Sequence, residues 1–128
     1  MNILLDTSTF IWVVANPKRL SKTAKDICLN EENTLYFSVI PAWEIQIKYL
    51  LRKLSLPEVP EKIIQSQISK HRIEVLPLEL DHIFQLSTLP SIHKDTFDRM
   101  LVCQAKARRM NILTPDPQIR RYNVKTIW

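Results

Sequence analysis

Asn2-Ile3-Leu4-Leu5-Asp6-Thr7-Ser8-Thr9 opens the chain with a short apolar run that stops on a carboxylate and passes into three hydroxyl residues. An unbroken run of Ile and Leu suits a strand buried on both faces. Thr7, Ser8 and Thr9 can cap a helix carrying Phe10, Ile11, Trp12 and Val14, which Pro17 stops. A strand that turns straight into a helix is the first half of a β-α-β unit, so the sheet is expected to be mainly parallel.

The same alternation continues outward. Ser21 to about Asn30 reads as a helix, Thr34 to Ser38 as a strand, and Pro41 fits the first turn of the next helix. Leu56 to Pro60 is a proline-set loop, Glu61 to Lys70 a helix and Ile73 to Leu76 a strand ended by Pro77. Glu79 to Leu89 is expected to be a helix with Ile83, Phe84 and Leu86 inward. Thr96 to Met110 forms a long helix with Phe97, Met100, Leu101, Cys103 and Ala105 packed. Ile112 to Thr114 and Val124 to Ile127 complete the strands. The expectation is one α/β domain over residues 1–128, in three layers, α/β/α, around a mainly parallel central sheet.

The chain has 128 residues and no glycine, which leaves no GxGxxG, P-loop or GxSxG elbow. Left-handed backbone positions should then fall to Asn16, Asn30, Asn33, Asn111 or Asn123. The longest apolar run, Phe10 to Ala15, is too short to cross a bilayer. No signal peptide is visible, so a cytoplasmic location is expected. Cys28 and Cys103 read as buried free thiols, and His71, His82 and His93 as surface or loop residues without ligand-like spacing.

The net charge of +5 is lopsided. Residues 94–128 hold eight of the eighteen Lys and Arg but three of the thirteen acids, leaving ten of each in residues 1–93. Such a segment suits a polyanion, although a solvated basic face explains it as well. Within it lie Asp95, Asp98 and Asp116. Parallel sheets build sites beyond the carboxyl ends of their strands, and Asp6, Glu44, Asp98 and Asp116 can all reach that rim. Each also has an ordinary alternative. Asp6 can cap a helix, Glu44 can pair with Lys48, Asp95 and Asp98 can form an N-cap and N3 pair, and Asp116 can serve a turn. Together on one rim, four carboxylates point to a divalent cation.

At full length the chain resembles the PIN domain, specifically the VapC ribonuclease toxins of toxin–antitoxin pairs. The likeness rests on Leu-Leu-Asp-Thr-Ser at 4–8, Ala-Trp-Glu-Ile at 42–45, Arg-Lys-Leu-Ser-Leu-Pro at 52–57 and Val-Leu-Pro-Leu at 75–78. It continues in His-Lys-Asp-Thr-Phe-Asp-Arg at 93–99 and Leu-Thr-Pro-Asp at 113–116. Thr96 stands where this subgroup usually has proline, and Pro41 where it often has serine.

The resemblance implies Mg2+-dependent cleavage of RNA, such as tRNA, with Mn2+ able to substitute. It maps the acidic quartet onto Asp6, Glu44, Asp98 and Asp116. Asp6 and Asp98 are expected to touch metal most directly, and Glu44 and Asp116 to hold a second ion or orient its waters. Asp95 stays divided between helix cap and outer ligand. Thr7, Ser8, Ser38 and Thr114 would support the carboxylates, and Arg99, Arg108, Arg109, Arg120 and Arg121 would contact RNA phosphates. Without metal, some of the acids should have raised pKa values. The implied partners are an antitoxin, docking along the apolar helices near 41–51 and 61–70, and a second copy in a homodimer. The alternatives are a catalytically silent PIN-like module that binds RNA or protein, and an interaction domain whose acids are only caps and pairs.

Overall fold

The computed structural model describes residues 1–128. Its strands are β1 (Asn2–Leu5), β2 (Thr34–Ser38), β3 (Glu74–Leu76), β4 (Asn111–Leu113) and β5 (Thr126–Ile127). Its α-helices are α1 (Thr7–Ala15), α2 (Lys22–Leu29), α3 (Val39–Leu50), α4 (Pro60–His71), α5 (Leu80–Phe84) and α6 (Thr96–Arg108). The sheet has the order β3-β2-β1-β4-β5, and every neighbouring pair is parallel. The chain builds one half outward from β1 through β2 to β3, then returns to β4 on the other side of β1. That reversal opens a crevice beyond the carboxyl ends of β1 and β4.

Alternation along the strands divides the core between the two faces. Ile3, Leu5, Leu35, Phe37 and Leu113 face the layer of α1 to α4, where Phe10 and Phe37 stack at 4.0 Å. Leu4 and Ile112 face α6, against Leu101, Val102 and Ala105. Ile3, Leu4 and Leu5 are all fully buried, as a continuous apolar run requires. Cys103 is buried and Cys28 only half-buried, and both are free thiols.

The segment from Glu79 to Leu89 differs from the expected single helix. It forms α5 and then a 3-10 turn over Gln85–Thr88. Phe84 is 67% exposed, whereas His82 is fully buried, the reverse of the expected pattern. The face that turns inward carries His82, Leu86 and Leu89, four and then three residues apart. His82 Nδ1 accepts from the Glu79 backbone N–H at 3.1 Å, which ties the imidazole into the helix start.

The left-handed positions also fall elsewhere. They are Arg52, Arg72 and Arg109, with φ of 56°, 52° and 53°. Each ends a helix, and the residue after it donates back five positions: Lys53 to Lys48, Ile73 to Ile68 and Met110 to Ala105. This is the Schellman closure that glycine normally occupies. Asn16 and Asn30 lie at negative φ. Helix closure, not the local turn preference of Asn, sets where the backbone must go left-handed. Replacing exposed Arg72 by glycine is expected to raise stability by a few tenths to about 1 kcal/mol in urea denaturation, and Arg72→Val to lower it.

Candidate functional site

Asp6 follows β1 directly and is 3% exposed. It is itself the cap of α1, a role the sequence also offered to Thr7, Ser8 and Thr9. Its Oδ1 accepts the Thr9 backbone N–H at 2.8 Å. Its Oδ2 accepts the hydroxyl of Thr114, which follows β4. Thr9 in turn donates its hydroxyl to the Leu113 carbonyl at 2.9 Å. The switch crevice between β1 and β4 is therefore laced by Asp6, Thr9 and Thr114.

Glu44 reaches the same rim from α3 and is 4% exposed. Its Oε1 accepts the Thr7 hydroxyl at 2.7 Å, and its Oε2 pairs with Lys48 one turn on. Ser38 caps α3 through the Ile40 N–H at 3.0 Å and also bonds Gln104 of α6. Pro41 falls within the first turn, where a missing N–H costs no helical bond. Ser38 thus fixes the helix that carries Glu44 without touching a carboxylate. Ser8 is exposed and touches none either.

Asp98 sits in the first turn of α6, with Asp95 as the cap accepting its N–H at 2.9 Å. The cap reading of Asp95 is therefore realised. Asp116 accepts the Gln118 N–H at 2.8 Å and donates its own N–H to Thr114 at 3.0 Å. Thr114 consequently bridges Asp6 and Asp116.

His93 lies in the loop before α6, as expected, but it also belongs to this site, which its spacing did not suggest. Its Nε2 lies 3.3 Å from Asp98 Oδ2, and its Nδ1 lies 2.7 Å from the Tyr122 hydroxyl. Arg99 donates to the same hydroxyl at 3.1 Å. A neutral imidazole donating from Nε2 and accepting at Nδ1 satisfies every group in this chain. His-x4-Asp spacing alone carries no such signal, because the partner that orients the ring, Tyr122, lies 29 residues away.

The carboxylates sense one another. Burial pushes Asp98 up from 3.8 to about 6, with the charges of Asp95, Asp116 and Glu44 acting the same way against the His93 hydrogen bond. Burial also raises Asp6, with hydrogen bonds from Thr114 and Thr9 opposing it and Asp116 adding to the rise. The Lys48 ammonium is held charged first by its bond to Glu44, and Asp95 and Asp98 add to that.

Hard carboxylate oxygens gathered from four elements fit a hard divalent cation. No three His, Cys, Asp or Glu side chains converge as ligands, however. The reason is visible in the hydrogen bonds: both oxygens of Asp6 and both of Glu44 are turned onto donors of the chain itself. Asp6, Glu44, Asp98 and Asp116 share the rim, but they must rotate to share an ion. Arg120 and Arg121 lie in the 3-10 turn just after Asp116. Arg108 and Arg109 lie at the other end of α6, about 15 Å along its axis from Asp98.

The family model described as the PIN domain matches residues 3–125. Among solved structures, the chain is similar to VapBC2 from Rickettsia felis bound to a promoter DNA fragment, with TM-score 0.74 and 17% identity, covering 99% of this chain and 98% of that one. It is also similar to DNA-bound VapBC from Salmonella typhimurium, with TM-score 0.72 and 20% identity, covering 99% and 97%. A third is VapBC-5 of Mycobacterium tuberculosis, a member of the VapBC family of toxin-antitoxin systems, with TM-score 0.63 and 16% identity, covering 98% and 97%. No curated protein matches by sequence.

The raised Asp98 has a thermodynamic consequence. Its folded value of about 6 exceeds the ordinary 3.8, so the proton it binds favours the folded state. That contribution is complete below pH 3.8 and is lost as pH rises through about 6. Metal-free Asp98→Asn should therefore be more stable than the parent at pH 7, by about 1–2 kcal/mol after solvent screening. The difference should shrink toward pH 4. Chemical denaturation across that pH range checks this.

Proposed function

The chain belongs to the PIN domain family, and from that premise we propose that it is a metal-dependent endoribonuclease, the toxin of a toxin–antitoxin pair. The observation that carries the reading is the crowding of Asp6, Glu44, Asp98 and Asp116 at the β1–β4 crevice, where burial raises Asp6 and Asp98 and neighbouring carboxylates add to the rise. An ordinary cap or surface ion pair has no use for that crowding.

In this reading Asp6 and Asp98 would hold Mg2+, or Mn2+ in its place, with Glu44 and Asp116 completing the donor set. The ion would lower the pKa of a bound water and stabilise charge at the scissile phosphate and the leaving 3′ oxygen. Thr114 keeps Asp6 facing the crevice, Thr7 steadies Glu44, and His93 orients Asp98. Lys48 is about half exposed beside Glu44 and offsets part of the negative charge that would repel RNA. Arg99, Arg120 and Arg121 would contact phosphates near the acids. Arg108 and Arg109, at the far end of α6, would meet only a distant part of a folded RNA such as tRNA.

An antitoxin is the proposed protein partner, since similar solved structures are VapBC complexes. Trp43, Leu50 and Leu51 leave α3 with more than half of each residue exposed, as an apolar docking helix would require. The edge strand β3 and the segment from it through α5 expose Val75, Leu78, Leu80 and Phe84, which supports a homodimer through that edge. No helix is long and apolar enough to cross a membrane.

Incubating the protein with cellular RNA tests the reading. Cleavage should require Mg2+ or Mn2+, stop with chelator, and fall about 100-fold or more in Asp98→Asn. Asp98 is a cleaner target than Asp6, whose loss also removes the α1 cap. Equal cleavage by Asp98→Asn would remove the acids from catalysis. RNA binding by the parent protein without cleavage under any metal would favour the silent module instead.

A further inference from the structure

A cavity of about 650 Å3 opens beside the acidic rim, between the loop before α6 and the first turns of that helix. Its charged lining residues are Lys94 and Arg99, and no Asp or Glu lines it. Ser91 and His93 add polar groups, while Leu86 and Ile92 form an apolar patch. His93 joins the cavity to the acids, because its Nε2 lies 3.3 Å from Asp98 Oδ2.

The division of labour among these groups is informative. Arg99 uses one guanidinium nitrogen, Nη1, to donate to the Pro90 carbonyl at 2.8 Å and to Tyr122, so its plane is fixed in place. Its other nitrogens make no hydrogen bond within the chain. Lys94 is exposed and forms no ion pair, although Asp95 is its neighbour in sequence. A prefixed guanidinium and a free ammonium above an apolar patch match one nucleotide of an unpaired strand. The phosphate would meet the cations, and the base would lie on Leu86 and Ile92. An acidic rim and an acid-free cavity side by side also separate two tasks. The rim repels phosphate unless a cation intervenes, whereas the cavity attracts it directly.

We propose that this cavity is a subsite for a nucleotide flanking the scissile bond of single-stranded RNA, with Lys94 and Arg99 holding its phosphate and Leu86 and Ile92 its base. The subsite rests on the nuclease reading and names part of its substrate contact.

Binding is read in the Asp98→Asn background, where cleavage does not interfere, by fluorescence anisotropy with a short labelled oligouridylate over a range of salt. Lys94→Gln is expected to weaken binding about five-fold and to lower the salt slope by about 0.7. Ile92→Ala should weaken binding without changing the slope, because no charge is gained or lost, and an oligonucleotide with abasic sites should bind the variant and the background alike. Lys94 is exposed and without internal bonds, so Lys94→Gln separates a lost contact from a failure to fold. If the parent protein cleaves RNA with metal while Lys94→Gln and Ile92→Ala bind as the background does, the subsite is wrong and the nuclease reading stands. If the parent neither binds nor cleaves RNA, both fall. If binding occurs without cleavage, the nuclease reading falls and the slope change still decides the cavity. Lys94-dependent binding of a polyglutamate peptide, with RNA binding independent of Lys94, would assign the cavity to an acidic protein segment and overturn the proposal.

Discussion

Burial of carboxylates that also repel one another, at the carboxyl end of the sheet, is the constraint on which the rest of this structure depends. Asp6 comes from the end of β1, Glu44 from α3, Asp98 from α6 and Asp116 from the turn after β4. Nothing in chain proximity brings them together. The sheet order does, by reversing direction between β1 and β4. Opposing the repulsion are Thr9 and Thr114 on Asp6, Thr7 and Lys48 on Glu44, and His93 on Asp98. These donors keep buried carboxylates satisfied without a cation. They also explain why the acids face the same rim without yet sharing a point.

Structural and chemical duties overlap on the same atoms. Asp6 caps α1 and faces the crevice, and Asp95 caps the helix that presents Asp98. Thr114 bonds both Asp6 and the Asp116 backbone. A cap fixes its carboxylate to within a hydrogen bond of one backbone N–H, which aims it more firmly than a surface rotamer could. The ordinary reading of each acid as cap, pair or turn residue was therefore compatible with a shared site.

Much of this was legible from residue pattern. Asn2–Leu5 and Thr34–Ser38 announce themselves as apolar or β-rich runs, and the strand–helix alternation points to the parallel sheet. Asp6, Asp98 and Asp116 are legible as residues near strand ends or a helix start, and Glu44 as a carboxylate within the helix after β2. What escaped were side chains defined by distant partners. His82 is inward because of how α5 sits on α6, and Gln104 of α6 lies near its ring. His93 depends on Tyr122, and the left-handed arginines depend on helix closure and not on turn propensity. Tertiary contacts decide the two histidines, and helix-closing backbone bonds decide the arginines.

The basic final segment divides in the same way. Arg120 and Arg121 follow Asp116 closely, whereas Arg108 and Arg109 close α6 at its opposite end. Sequence position put all four in one charged stretch, and the length of α6 separates them. The central claim is that the crowded acids form a cation site, and a Mn2+-soaked crystal tests it most directly. The account predicts an anomalous peak at the β1–β4 crevice, about 2.1–2.2 Å from oxygens of Asp6 and Asp98. A crystal at saturating Mn2+ with no peak there, or with the ion bound only elsewhere, would contradict it.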